Sequence, residues 1–230
     1  MILQPLIDLV LPRDCAGCAA PDVALCPPCR ARVEAPARLL PAVAGRPAVA
    51  WCARYEGTTA HLVHGWKDAG RRDLTPLLGA ALARAVGLIP VAGSARPVLL
   101  VPVPSAPGAV RRRGAELVAD LARDAARRLP GARAAPVLRQ VRRTADQAGL
   151  GAGERARNVS GAFGFTRRGA RRSGQPCIVV DDVVTTGASL AEAVRVLRAG
   201  GWQPLGAATV CATPRHHPRR ADPSDDRCRV

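Results

Sequence analysis

The residues best suited to chemistry in this chain lie together at positions 177–190, CIVVDDVVTTGASL. Ile178, Val179 and Val180 read as a buried strand, and Asp181 and Asp182 follow it. Thr185, Thr186 and Gly187 form a short turn, and a helix begins near Ala188 or Ser189. A helix starting at such a turn aims its free backbone N–H groups and positive dipole end at the turn, which suits a phosphate dianion. Gly187 lets the backbone approach closely, and Thr185, Thr186 and Ser189 add hydroxyl donors. The two acids stand too early to touch that phosphate. They are placed to meet hydroxyls or a divalent cation nearby, so a sugar phosphate fits both halves. Helix capping and ordinary turn chemistry explain one acid, but not the pair with two threonines and the glycine.

Such a site needs a parallel strand that releases the chain at its carboxyl edge, where open α/β sheets bind ligands. A second stretch has the same plan. Residues 98–103 are an apolar strand broken by Pro102, followed by the turn Pro104-Ser105-Ala106-Pro107-Gly108 and then Arg111, Arg112, Arg113 and Gly114. Helix signals resume over 115–129, so this is another anion-binding arrangement, and a solvated basic turn is the plain alternative. Around these, residues 48–55 read as a strand and 58–67 as a helix with Leu62, Val63 and Trp66 on one side. His61 and His64 on that helix read as helix-face residues, having no third ligand near in sequence. Residues 74–88 and 188–199 are further helices, and 161–165 and 205–211 are strands. Residues 139–165 hold few core positions and many Gly and Arg, the pattern of a long lid loop whose glycines permit closure.

Four of the eight cysteines form Cys15-x2-Cys18 and Cys26-x2-Cys29. Two such pairs match tetrahedral zinc ligation by four thiolates, which leaves no open position for catalysis. A unit this small has little core without metal, so structural zinc would supply much of its folding energy. A disulfide cluster is disfavoured by compartment, and a redox motif needs one pair only. The segment MILQPLIDLVLPRD carries Asp8 and no basic start, so it reads as a short amphipathic helix rather than an export signal. The expectation is a cytoplasmic protein without a membrane span. The organisation expected is a zinc unit and linker over 1–45, a main domain over 46–213, and a disordered basic tail over 214–230 in which His216, His217 and Cys228 are weak metal candidates.

The net charge is +16, and aromatic residues are 3% of the chain. Charge alone invites nucleic acid as a partner. However, Lys67 is the only lysine and the arginines are scattered, a pattern of GC-rich coding that puts most of them on solvated surface. The low aromatic share argues against base-stacking platforms.

At residues 178–189 the chain resembles the type I phosphoribosyltransferases, whose motif is a hydrophobic run, two acids and a Thr-Thr-Gly-like turn. The resemblance implies an α/β fold, a type I phosphoribosyltransferase-like parallel sheet flanked by helices with a small N-terminal zinc knuckle. It implies phosphoribosyl pyrophosphate (PRPP) with Mg²⁺ as ligand. Asp181 and Asp182 would be catalytic and hold the ribose hydroxyls. Thr185, Thr186, Gly187, Ala188 and Ser189 would cradle the 5′-phosphate, and Ser105, Arg113 and Gly114 would meet the pyrophosphate.

Further residues resemble one branch, the ComF-like competence proteins. Besides the four cysteines these are Tyr55 and Lys67, Val101-Pro102-Val103-Pro104, and Thr144, Gln147, Leu150, Arg155, Asn158 and Val159 in the lid. That resemblance spans Cys15 to about Thr213. It departs after Gly114, where Ala115, Glu116 and Leu117 replace Phe-Asn-Gln and put the polar role of that Asn-Gln pair in doubt. It implies a link to DNA uptake, with an unidentified acceptor and DNA or DNA-processing proteins as possible partners. Three readings stay open: a phosphoribosyl-transferring enzyme, a non-catalytic PRPP-sensing or DNA- or partner-binding module, and a nucleotide-salvage enzyme with an added zinc knuckle.

Overall fold

A computed structural model describes residues 14–43, 45–91, 96–142, 152–167, 169 and 174–213. Six strands form one sheet in the order β1-β2-β8-β7-β3-β4. These are β1 (Arg38–Leu40), β2 (Val49–Arg54), β8 (Gln203–Ala212), β7 (Pro176–Val184), β3 (Val98–Pro102) and β4 (Ala132–Ala134). All neighbouring pairs are parallel except the edge pair β1–β2. Strands buried on both faces read as continuous apolar runs, which is why 177–180 and 98–101 carry no polar alternation.

The two faces hold separate cores. On one, Ile178, Val180, Leu100, Ala208 and Val210 pack under helices α2 (Gly57–Asp68), α3 (Thr75–Gly87) and α5 (Leu117–Arg127). On the other, Cys177, Val179, Leu99 and Val101 pack under α7 (Ala188–Ala199) and a separate antiparallel hairpin, β5 (Leu138–Gln140) and β6 (Phe163–Phe165). Short helices α1 (Pro27–Val33), α4 (Pro107–Arg113) and α6 (Ala152–Val159) complete the chain. Trp66 of α2, wholly buried, donates its indole N–H to Thr75 Oγ1 at 3.0 Å and so joins α2 to α3.

Several boundaries differ from the sequence expectation. Pro102 does not break β3. Leu100 Oxygen accepts from Ala135 on the β4 side while Val103 N–H donates to Val180 on the β7 side, so residue 102 faces β4 just beyond its end, where no ladder N–H is lost. The stretch 139–165 is not one loop: β5, α6 and β6 lie in it, and Arg139 and Gln140 pair with Gly164 and Phe163. The linker 38–47 includes β1, and most of the 105–114 turn is helix α4. The expected N-terminal helix, the tail from 214, and Thr144, Gln147 and Leu150 lie outside the described residues. No helix among the described residues is long and apolar enough to cross a membrane.

Candidate functional site

Strand β7 runs on through both acids to Val184, so Asp181 and Asp182 sit inside its second half rather than after it. Side chains alternate along a strand, so the two carboxylates leave on opposite faces. Asp181 follows Val179, whereas Asp182 follows Val180 toward the α2 face and is 3% exposed. There its Oδ2 forms an ion pair with the Lys67 ammonium at the end of α2, and its Oδ1 accepts the Val183 N–H at 2.9 Å. Asp181 Oδ1 accepts the Asp182 N–H at 2.9 Å.

Burial pushes the Asp181 carboxyl well above the usual range, the Asp182 charge adds to the rise, and the Lys67 ammonium opposes it. For Lys67, burial alone would lower the ammonium, but the Asp182 and Asp181 carboxylates outweigh it and raise it. The Tyr55 phenol beside them is raised by burial.

After Val184 the chain turns through Thr185 and Thr186 into Gly187, whose φ of +78° is the left-handed conformation that suits glycine. Helix α7 starts at Ala188 with no side-chain cap and no acid in its first turn. The Ala188 N–H reaches back to Thr186 Oγ1 over a long 3.4 Å, and the Ala191 N–H donates to Gly187 oxygen at 2.9 Å. A cavity of about 340 Å³ opens over this turn. It gathers Asp181, Asp182, Thr185, Thr186, Gly187, Ala188 and Ser189 from β7 and α7 with Ser105 and Arg113 across from them, and Tyr55 and Lys67 close it.

Not every expected residue arrives there. Gly114 caps α4 with φ +67° and is absent from the lining. Asn158 lies on α6, where its carbonyl accepts from Arg142 at 2.8 Å, and it does not line the cavity. Arg155 is on the same helix, and its side chain is outside what is described. Arg113 reaches the cavity but is already paired with Asp68 Oδ1 at 2.8 Å. Glu116, the departure after Gly114, has its carboxyl raised by burial while the Ser105 N–H opposes the rise. It lines a neighbouring cavity of about 500 Å³ that shares Val103, Pro104 and Ser105 with the first. A larger groove of about 660 Å³ beside α7, lined by Arg46, Arg195 and Arg198 among apolar residues, contains neither an acid pair nor a hydroxyl-rich turn.

The four cysteines also come together. Their sulfur atoms all lie within 4.8 Å of one another, with Cys15–Cys26 at 3.6 Å and Cys18–Cys26 at 3.7 Å. A zinc tetrahedron with bonds of about 2.3 Å needs edges of roughly 3.8 Å, so the cluster fits one. Burial opposes the Cys15 thiolate, but N–H groups of Cys26, Cys18 and Gly17 outweigh it and bring the thiol down to about 6. Cys29 is pushed up by burial and by the other thiols, a conflict a divalent cation relieves. The unit is tied to the main sheet's helices. His61 Nδ1–H donates to Gly17 oxygen at 3.0 Å, Arg71 donates to Ala24 oxygen at 2.8 Å, and Arg84 to Val33 oxygen at 2.8 Å. His61 thus serves as a helix-face contact.

The strand–turn–helix site on a mostly parallel sheet defines a phosphoribosyltransferase-type domain. The sequence matches the phosphoribosyl transferase domain family over residues 109–229, and the chain belongs to that family. No curated protein matches it.

Proposed function

We propose that the chain binds PRPP with Mg²⁺ at the cavity over β7 and α7 and transfers the phosphoribosyl group to a nucleophilic acceptor. The carrying observation is the meeting, in one cavity, of an uncapped helix start behind Gly187 with two carboxylates one turn of chain earlier. The N–H groups at 187–189 and the nearby hydroxyls receive the 5′-phosphate. Asp181 and Asp182 hold the vicinal ribose hydroxyls, directly or through Mg²⁺, which when bound neutralises the pyrophosphate. Ser105 and Arg113 face that leaving group. In the transfer, the bond from the anomeric carbon to pyrophosphate oxygen breaks with its electron pair leaving on pyrophosphate. The acceptor's lone pair forms the new bond, and its proton passes to water. Positive charge develops on the sugar, and the carboxylates favour it. Arg155 and Asn158 keep a lid role only if closure carries α6 toward the cavity.

The four-cysteine unit beside this domain supports a ComF-like protein, with structural zinc on Cys15, Cys18, Cys26 and Cys29 and a role in DNA uptake. We read residues 1–45, 46–213 and 214–230 as its three segments. Calorimetry with PRPP and Mg²⁺ tests the main reading: heat and a rise in melting temperature are expected for the wild type, and neither for the Asp181→Asn, Asp182→Asn double variant. A silent wild type ends the PRPP reading. A PRPP sensor would share the site but release no pyrophosphate with any nucleobase or amine offered. A DNA-docking module, favoured by the +16 charge, would bind single-stranded DNA with log affinity falling steeply against log salt.

A further inference from the structure

We propose that Lys67 is a positioning residue for the acidic pair, its ammonium holding the Asp182 carboxylate at the cavity wall for the ribose or its metal ion. This rests on the PRPP reading of the cavity.

Lys67 is the only lysine among 34 basic residues. At every other basic position the chain carries arginine, yet at this narrow place it carries a compact point charge rather than a planar fork. The side chain is 29% exposed and its partner 4%, so the pair is shielded from solvent. Asp182 is fixed from two sides, Oδ1 by the Val183 N–H and Oδ2 by Lys67. Oδ2 is wholly buried, whereas Oδ1 keeps a second lone pair with which to receive a hydroxyl or cation. Helix α2 brings a second link at its next residue, because Asp68 pairs with Arg113 at the end of α4. One helix end therefore ties together the acid strand and the short helix facing it.

The groups facing Lys67 are Asp182 and Asp181 of β7, Arg113 of α4, Tyr55 after β2, Asp68 beside it on α2, and the buried Cys211 thiol of β8. Asp182 is the one that meets the ammonium directly. Without the ammonium, Oδ2 loses its partner and the carboxylate is free to turn away from the cavity wall, so ligand binds more weakly.

A single lysine gives a single side-chain signal, so the full chain labelled with ¹³C-lysine reports on Lys67 alone. That signal is expected to shift in Asp182→Asn, and in the wild type to move when PRPP and Mg²⁺ are added. By calorimetry, Lys67→Met is expected to bind PRPP·Mg²⁺ about tenfold more weakly. Lys67→Arg is expected to recover that affinity in part. A wild-type lysine signal indifferent to bound PRPP overturns the proposal without recourse to any variant. So does a Lys67→Met protein whose binding is normal. A wild type that binds no PRPP takes this role down with the functional reading, whereas wild-type binding with a silent Lys67 removes this role alone.

Discussion

Asp181 carries a cost that its role explains. An acid raised in the fold binds more protons folded than unfolded, so stability falls as pH climbs from its usual value of 3.8 toward the folded one. At neutral pH the buried carboxyl therefore destabilises the ligand-free protein. Asp181→Asn is expected to raise the melting temperature by about 3 °C near pH 7, on the order of 1 kcal/mol, and to lose that advantage near about pH 4. The same variant should lose PRPP binding, so a melting scan and a binding isotherm on one sample check both halves. A lower melting temperature at pH 7 would contradict the stated cause. These residues were legible in sequence because strand, acids, hydroxyls and glycine are contiguous. Lys67 was not placed with them. A lone lysine among arginines is a visible signal, but its target lies 115 positions away (182 − 67) and across β8 from β2, and only the topology brings α2 over the end of β7.

The turn between β7 and α7 is the element on which phosphate binding depends. An added methyl at Gly187 would meet only Val184 Cγ2 at 3.9 Å, so space is not the constraint; the φ of +78° is. Gly187→Ala is expected to cost about 1 kcal/mol, a fall of ~3 °C, and to weaken PRPP binding more than stability if relaxing φ re-aims the first amides of α7. Unchanged affinity in a destabilised variant would remove the amides from the site. Helix α7 itself was legible to the residue, since 188–199 is an apolar-periodic run closed by Gly200 and Gly201. The short strands β1, β4 and β5, three residues each, were not. Each is too short to show a period, and pairing with a distant partner makes it a strand: Ala132, Arg133 and Ala134 align with Val98, Leu99 and Leu100. Asp181 and Asp182 look like residues beyond a strand for the opposite reason, because acids inside a strand interrupt the apolar pattern that marks it.

Across the molecule, the cysteine unit and the sheet domain communicate through α2 and the 3₁₀ turn Arg72–Leu74 that follows it. Arg71 donates to Asp14 and Ala24 oxygens in the cysteine unit, and Arg72 donates to Arg113 oxygen at the end of α4, facing the acids, at 3.2 Å. Gly17 packs so tightly that a Cβ there would stand 2.7 Å from Thr58 Cγ2, at the start of the helix that carries Lys67. The spacing of the cysteines announced their cluster, while this docking rests on main-chain carbonyls that no sequence pattern marks. If zinc holds the cluster, a thousandfold excess over its dissociation constant stabilises the fold by about 4 kcal/mol, so a strong chelator should lower the melting temperature by ~10 °C. Four thiols should become reactive at the same time. Released carbonyls would free Arg71 and His61, loosen α2, and weaken PRPP binding below the transition temperature, where the sheet is still folded. Chelation that frees the thiols yet leaves affinity intact would confine the metal to its own knuckle. Purified protein without bound zinc, whose thiols react and whose melting ignores chelator, would end the metal assignment itself.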